Sequence, residues 1–168
     1  MASLSPSMVC AADKATVLRI HIAKEVVHCS VELPEIDKND IATNLKDGVE
    51  ISAIWHLGVV KVRDYWLNDQ LADITVSRRV KPDLLSRSWQ LIEDASGISR
   101  RVYSLDQAIY FLSHLQQFAV VDRSLLAPLT LYRMHVAVVI HHGAIKERWL
   151  PDFWHSPLMS QQQDFKLP

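Results

Sequence analysis

The chain has few glycines, few cysteines and none of the short motifs that mark common catalytic sites. Its four glycines lie far apart, so no glycine-rich loop that could hold a nucleotide phosphate is present. Two cysteines and eight histidines form neither C-x-x-C nor H-E-x-x-H, and no serine lies in G-x-S-x-G. We therefore predict no catalytic residue, no cofactor and no metal, and we expect the protein not to be an enzyme.

Long apolar runs and excess charge are also missing. No uncharged apolar run approaches the roughly 20 residues that a helix needs to span a bilayer, which excludes a transmembrane segment in this chain. The net charge of −1 gives no electrostatic basis for binding nucleic acid. With 49% apolar residues in 168, the chain is long enough to bury a substantial core.

Residues 49–80 predict two long antiparallel strands around which the rest of the chain is organised. The second strand alternates clearly, and only Arg78 interrupts its apolar face. In the first strand the apolar phase changes after Gly58, which predicts a β-bulge there. Keeping the two apolar faces together favours a three-residue loop, 67–69 or 68–70, over a two-residue turn at Asn68-Asp69.

The remaining segments predict shorter strands and two helices. Residues 16–33 alternate as a strand pair, and Asp37 and Gly48 are a helix N-cap and stop signal. Further strands are predicted after Pro82, through Leu85, Trp89 and Leu91, and at 98–103 and 130–141. A capping box of Ser104 and Gln107 begins a second helix, whose apolar stripe runs to Leu115.

These elements predict a β-dominated α+β fold. We expect an antiparallel β-sandwich or curved sheet of about seven strands with two short helices.

The N-terminus is typical of the end of an export signal. Val9-Cys10-Ala11 before Ala12 fits the small-residue rule for signal peptidase cleavage, although a merely flexible N-terminus is the alternative. We interpret 1–11 as a signal remnant and 12–168 as a single domain. From about residue 143 the domain would end in an irregular tail containing Trp149, Phe153 and Trp154.

The tip of the central hairpin is the candidate binding surface. It contains Arg63, Tyr65, Trp66 and Asn68, and arginine, tyrosine and tryptophan are enriched at binding hot spots. The alternative is structural: Trp66 would cover the end of the sheet while Arg63 stays solvated.

Three segments carry a family resemblance: IATNLKDGVEI (41–51), KVRDYWLNDQLADI (61–74) and RRVYSLDQAIYFL (100–112). In them the chain resembles exported bacterial proteins of domain-of-unknown-function family 4390. The resemblance implies a periplasmic, or membrane-attached, protein of a Gram-negative bacterium, and supplies no activity or catalytic residue.

We therefore expect a non-catalytic module that binds another envelope or membrane protein. The alternative is a carrier that holds a small apolar ligand between sheet and helices.

Overall fold

The structure, a computed structural model, describes residues 17–33, 36–64, 67–143 and 159–168. Within these ranges the chain forms nine strands, two α-helices and one 3-10 turn at Arg123–Leu125. The strands are β1 (Val17–Ile22), β2 (Val26–Glu32), β3 (Ile51–Lys61), β4 (Asp69–Asp83), β5 (Ser88–Glu93), β6 (Ile98–Val102), β7 (His114–Asp122), β8 (Leu131–His142) and β9 (Met159–Lys166). The helices are α1 (Lys38–Lys46) and α2 (Leu105–Ser113). None of the helices in these ranges combines the length and apolar character that crossing a membrane requires.

The strands form two antiparallel sheets. One has three strands in the order β1-β2-β7, and the other has six in the order β6-β5-β4-β3-β8-β9. The predicted fold class, a β-dominated α+β fold with a sandwich-like arrangement, is confirmed. The described residues contain nine strands instead of about seven, because β7 and β9 were not foreseen.

The core lies between the small sheet, the two helices and one face of the large sheet. Trp55 and Leu57 of β3 are completely buried there, as are Val27 of β2 and Leu112 of α2. Complete burial of such a side chain contributes about 1.5–3 kcal/mol. This face of the large sheet is called the inner face below, and the opposite face the outer face.

Helix α1 has the predicted ends. The Asp37 carboxylate accepts the N–H groups of Asn39 and Asp40, both at 3.0 Å. At the other end Gly48 has φ +85°, and its N–H donates to the backbone oxygen of Leu45 at 3.3 Å. Only glycine adopts this conformation without a Cβ penalty, so both end signals are confirmed.

The central hairpin is confirmed, but its predicted bulge and loop are wrong. β3 pairs with β8 from Ile51 to Lys61 without a shift, and the extra residue is Leu71 of β4. The connection 62–68 has seven residues instead of three. Gly58 does not form a bulge; instead it makes room for the imidazole of His135 on β8. A Cβ at Gly58 would lie 2.0 Å from Cε1 of His135.

The second predicted helix is shorter than its apolar stripe. α2 ends at Ser113 and β7 begins at the next residue, so Leu115 is a buried strand residue. Ser104 is the N-cap residue but makes no side-chain capping bond, and the predicted capping box is therefore wrong.

Two other boundaries also differ. β4 continues through Pro82 because β3 begins opposite Val80, and beyond that point β4 pairs only with β5. Leu85 lies in the following turn and is fully exposed instead of belonging to a strand.

The predicted irregular tail contains a strand, β9. Trp149, Phe153 and Trp154 lie outside the described residues, as do residues 1–11.

Arg78, the residue that interrupts the apolar face of β4, has partners from three elements. Its Nε donates to Oε2 of Glu93 on β5 at 2.5 Å. Its Nη1 donates to the backbone oxygen of Phe111 at 3.1 Å and also to that of His114. The mostly buried guanidinium therefore connects the α2–β7 junction to the large sheet.

Candidate functional site

The predicted binding residues lie in the β3–β4 loop, which is partly described. The N–H of Arg63 donates to Oδ1 of Asn68 at 3.2 Å, and the Arg63 guanidinium pairs with Asp69. These contacts close the loop on itself and leave Leu67 92% exposed. Tyr65 and Trp66 lie outside the described residues, so the predicted packing of Trp66 stays a prediction.

A second loop, 123–130, lies beside the first and has its own anchors. The Asp122 carboxylate accepts the N–H of Ser124 at 2.8 Å, which begins the 3-10 turn. Leu126 is buried in the core, and the hydroxyl of buried Tyr132 accepts the N–H of Ala127 at 2.7 Å. The loop is therefore held by its backbone and by one inward leucine.

The outward leucines of this second loop are Leu125, 61% exposed, and Leu129, 83% exposed. Leu129 has φ +58°, a left-handed conformation that is unfavourable for residues other than glycine, asparagine and aspartate. Its N–H donates to the backbone oxygen of Leu167 at 3.3 Å, which fixes the loop in this conformation. Such local strain is found preferentially at functional positions.

The two loops lie at the same end of the sandwich. The N–H of Val62, at the start of the first loop, donates to the backbone oxygen of Leu131, just after the second. Leu67, Leu125 and Leu129 consequently project from the same end of the sandwich, which we call the leucine end. Residues 61–69 and 122–131 contain three basic and three acidic side chains, so this end has no net charge.

Only half of this surface was predicted from the sequence. Arginine and aromatic residues indicated the β3–β4 loop, whereas no prediction covered 123–130. The available signal was SLLAPLTL, a leucine-rich stretch that contains a proline and lacks the period of a helix or strand.

A family model described as "Domain of unknown function (DUF4390)" matches residues 14–149. The chain belongs to this family. Neither a curated protein nor a solved structure matches it. The leucine end lies within the matched residues of the DUF4390 chain, except for its contact with Leu167.

One group in the DUF4390 chain superficially resembles a catalytic triad. His114 Nδ1 lies 2.8 Å from the Ser113 hydroxyl oxygen, and its Nε2 lies 3.5 Å from Oε1 of Glu32. Ser113, however, is completely buried and donates its proton to the backbone oxygen of Ile109 at 2.9 Å. Because a nucleophilic serine must be accessible and give its proton to the histidine, these three residues do not form one.

A reactive thiolate and a metal centre are two further kinds of site to consider in the DUF4390 chain. Cys29 is buried in the core, and burial raises the pKa of its thiol to about 12, so it is not a thiolate at neutral pH. Among the described residues, no group of three or more His, Cys, Asp or Glu side chains is placed to hold a metal ion.

Proposed function

We propose that this DUF4390 chain is a non-catalytic protein-binding module of the bacterial envelope, and that the leucine end is its binding surface. The observation that carries the proposal is the exposure of Leu67, Leu125 and Leu129 on two adjacent, anchored loops. Clustered apolar side chains at a surface are typical of interaction sites, because their burial is favourable by about 25 cal/mol per Å².

The anchored backbone of the two loops supports binding by a preformed surface. Because Leu126, Tyr132 and the Val62–Leu131 hydrogen bond already hold the backbone, little loop entropy remains to be lost on association. Arg63 and Asn68 lie beside Leu67 and would form a polar rim around an apolar centre.

A protein partner fits the charge pattern better than a lipid surface does. Anionic lipids attract clusters of lysine and arginine, whereas the leucine end carries equal numbers of basic and acidic side chains. Leucines with a mixed-charge rim are instead the composition of a protein interface.

The envelope location rests on the Val9-Cys10-Ala11 pattern and on the resemblance to exported proteins. Expressed from its natural gene, the protein is expected in the periplasmic or membrane fraction. Recovery only from the cytoplasm would contradict this part of the proposal.

Capture from detergent-solubilised envelope extract tests the binding surface. The baits are the wild type, Leu125→Ser/Leu129→Asn, and the control Leu85→Asn, which removes a fully exposed leucine from the distant β4–β5 turn. We expect one protein to be captured by the wild type and the control, and its recovery to fall about tenfold or more with the double variant.

Two results would overturn the proposal. One is equal capture by all three baits. The other is binding of the purified wild type to protein-free phosphatidylethanolamine–phosphatidylglycerol vesicles with loss in the double variant, which would assign the leucines to lipid.

Leu129→Asn provides a stability control with an expected sign. Asparagine tolerates φ +58° better than leucine and removes an exposed apolar side chain, so the free energy of unfolding should rise by about 0.5–1 kcal/mol. Urea denaturation measures this change. Leu129→Asn alone therefore serves as a fourth bait: if it is more stable than the wild type yet captures less, the loss does not come from unfolding, whereas a fall in its stability would mean that the Leu129 side chain is a folding contact.

The carrier is a second candidate, favoured by a cleft between α1 and the β4–β5 turn. This mainly apolar cleft of about 230 Å³ is lined in part by Leu45, Pro82, Leu84 and Trp89. Drug-sized ligands occupy pockets of about 300–1,000 Å³, so only a smaller molecule would fit. Titration with the neutral probe N-phenyl-1-naphthylamine should then show saturable 1:1 binding that Leu84→Asn weakens; non-saturable binding would contradict the carrier.

A further inference from the structure

We infer that the free edge of β6 is a second binding site, at which an extended acidic peptide segment of a partner adds to the six-stranded sheet. This site lies far from the leucine end, since β4 runs from Asp69 near the leucine end to Asp83 near β6. It does not depend on the binding surface proposed above.

The first argument is the position of β6 in the sheet. Among the strands in the described ranges, β6 pairs with β5 on one side and has no neighbour on the other. An edge strand offers backbone N–H and C=O groups that another extended chain can pair with, and strand addition is a common mode of peptide recognition.

The second argument is charge. Residues 78–101 contain six basic and three acidic side chains, in a chain whose net charge is −1. Each of the three acids already has an arginine partner: Glu93 has Arg78, Asp94 has Arg79 at 3.0 Å, and Asp83 has Arg101 at 3.8 Å.

Three cations of this region remain available. Lys81, Arg87 and Arg100 are exposed and form no ion pair with any residue in the described ranges. The charge that complements this region is therefore negative.

The third argument is the cleft beside β6. A cleft of about 260 Å³ lies between the β5–β6 hairpin and the α2–β7 junction, and Ile98 and Arg100 line its β6 side. On the opposite side the Tyr110 ring stacks on His114, with centroids 3.9 Å apart, and the Gln116 amide donates to the Tyr110 hydroxyl. The far wall is thus preformed.

These positions predict the sequence pattern of the partner. Ile98 and Arg100 are two residues apart on one strand and so share a face. On an added strand, the residue opposite Arg100 would enter the cleft and should be acidic, and the residue opposite half-exposed Ile98 should be apolar.

The other edge strand of this sheet lacks these features. Residues 159–168, which contain β9, carry one acidic and one basic side chain, and the acid, Asp164, is already paired with Arg133 at 2.6 Å. Charge complementarity therefore selects β6. A charged edge can also serve simply to prevent aggregation, and the experiment must separate that role from binding.

The test uses a fluorescein-labelled peptide of about eight residues that alternates valine and glutamate, and measures binding by fluorescence anisotropy. We expect saturable binding by the wild type. Two further peptides serve as comparisons: one has lysine in place of glutamate, and the other has methylated backbone amides. Both are expected to bind at least about tenfold more weakly.

Protein variants locate the site. Arg100→Glu should weaken binding of the valine–glutamate peptide about tenfold or more. Lys24→Glu, in the exposed β1–β2 turn, should leave it unchanged, and so should Leu125→Ser/Leu129→Asn. Because Arg100 is exposed, the variant is expected to fold, and its urea midpoint checks this.

Three results would overturn the inference. They are absence of saturable binding, equal binding of the amide-methylated peptide, and equal weakening by Arg100→Glu and Lys24→Glu. The second result would mean charge attraction without strand addition, and the third would mean attraction without a site.

Discussion

Each face of the large sheet contains a side chain that its neighbours must accommodate, Arg78 on the inner face and His135 on the outer face, and the two are accommodated differently. On the inner face Arg78 places a charge among apolar side chains and is held by Glu93 and by two backbone oxygens. On the outer face His135 places a ring directly over β3, where Gly58 has no side chain to oppose it. A buried charge needs partners, whereas a crowded ring needs room.

His135 on the outer face has titratable side chains near it. His56, beside Gly58 on β3, has its Nδ1 3.5 Å from Oδ1 of Asp73. Burial lowers the pKa of His135 from its usual 6.5; Asp73 opposes this shift and His56 adds to it. His135, Asp73 and His56 thus lie near one another on the outer face, and burial there disfavours the protonated form of the His135 ring.

The largest effect is expected from Arg78→Met. The variant leaves the Glu93 carboxylate, 8% exposed, without its cation, and frees the backbone oxygens of Phe111 and His114. Breaking such a buried pair costs about 3–5 kcal/mol of unfolding free energy, measured by urea denaturation.

Arg79→Met is the matched control on the next residue. Arg79 pairs with half-exposed Asp94 at 3.0 Å and, at 4.0 Å, with Glu50; because Arg79 itself is about one-third exposed, the loss should stay below about 1 kcal/mol. Equal losses in the two variants would mean that the faces do not differ as described.

A smaller effect is expected from Gly58→Ala. The new methyl group would lie 2.0 Å from the His135 ring and force it to move, which should cost about 1–3 kcal/mol. Adding His135→Ala should restore part of the loss if the ring is the cause, and a double-mutant cycle measures this coupling. Additive losses would show that Gly58 is needed for another reason.

The smallest effect is the pH response of His135. Because its folded-state pKa lies below 6.5, the unfolded chain takes up the proton first. The neutral His135 ring therefore contributes its full stabilisation at pH values above 6.5, the pKa of the unfolded chain. This stabilisation is lost as the pH falls from 6.5 toward the lower pKa of the folded state. The urea midpoint of the wild type should fall more than that of His135→Asn between pH about 7.5 and about 5.5; parallel curves would contradict this.

Sequence patterns predicted the elements whose signals are local. Alternation gave β3, β4 and β8, and the Asp37 and Gly48 signals gave both ends of α1. They failed where tertiary contacts decide: Leu115 continues the helical stripe of α2, yet its segment pairs with β2 as part of β7. Likewise no local signal shows that β9 pairs with β8, or that Gly58 faces an imidazole.

The candidate site was predictable to the same extent. Arginine and aromatic residues directed attention to the β3–β4 loop, but its neighbour in space, 123–130, follows it by more than fifty residues. That neighbourhood exists only because Val62 and Leu131 meet across the β3–β8 pair. The cleft beside β6 also depends on residues distant in the chain, since its lining includes Arg78 and His114, which are 36 residues apart.

The central position of β3 also has a consequence for how the chain folds. Its first neighbour, β4, follows within one hairpin, but its second neighbour, β8, begins only at Leu131. Closing so long a loop is entropically costly before any contact forms, and folds dominated by such pairings refold in about milliseconds to seconds rather than microseconds. Until β8 arrives, one edge of β3 stays open and available for wrong pairings. The last third of the chain therefore completes the sheet that its first half begins.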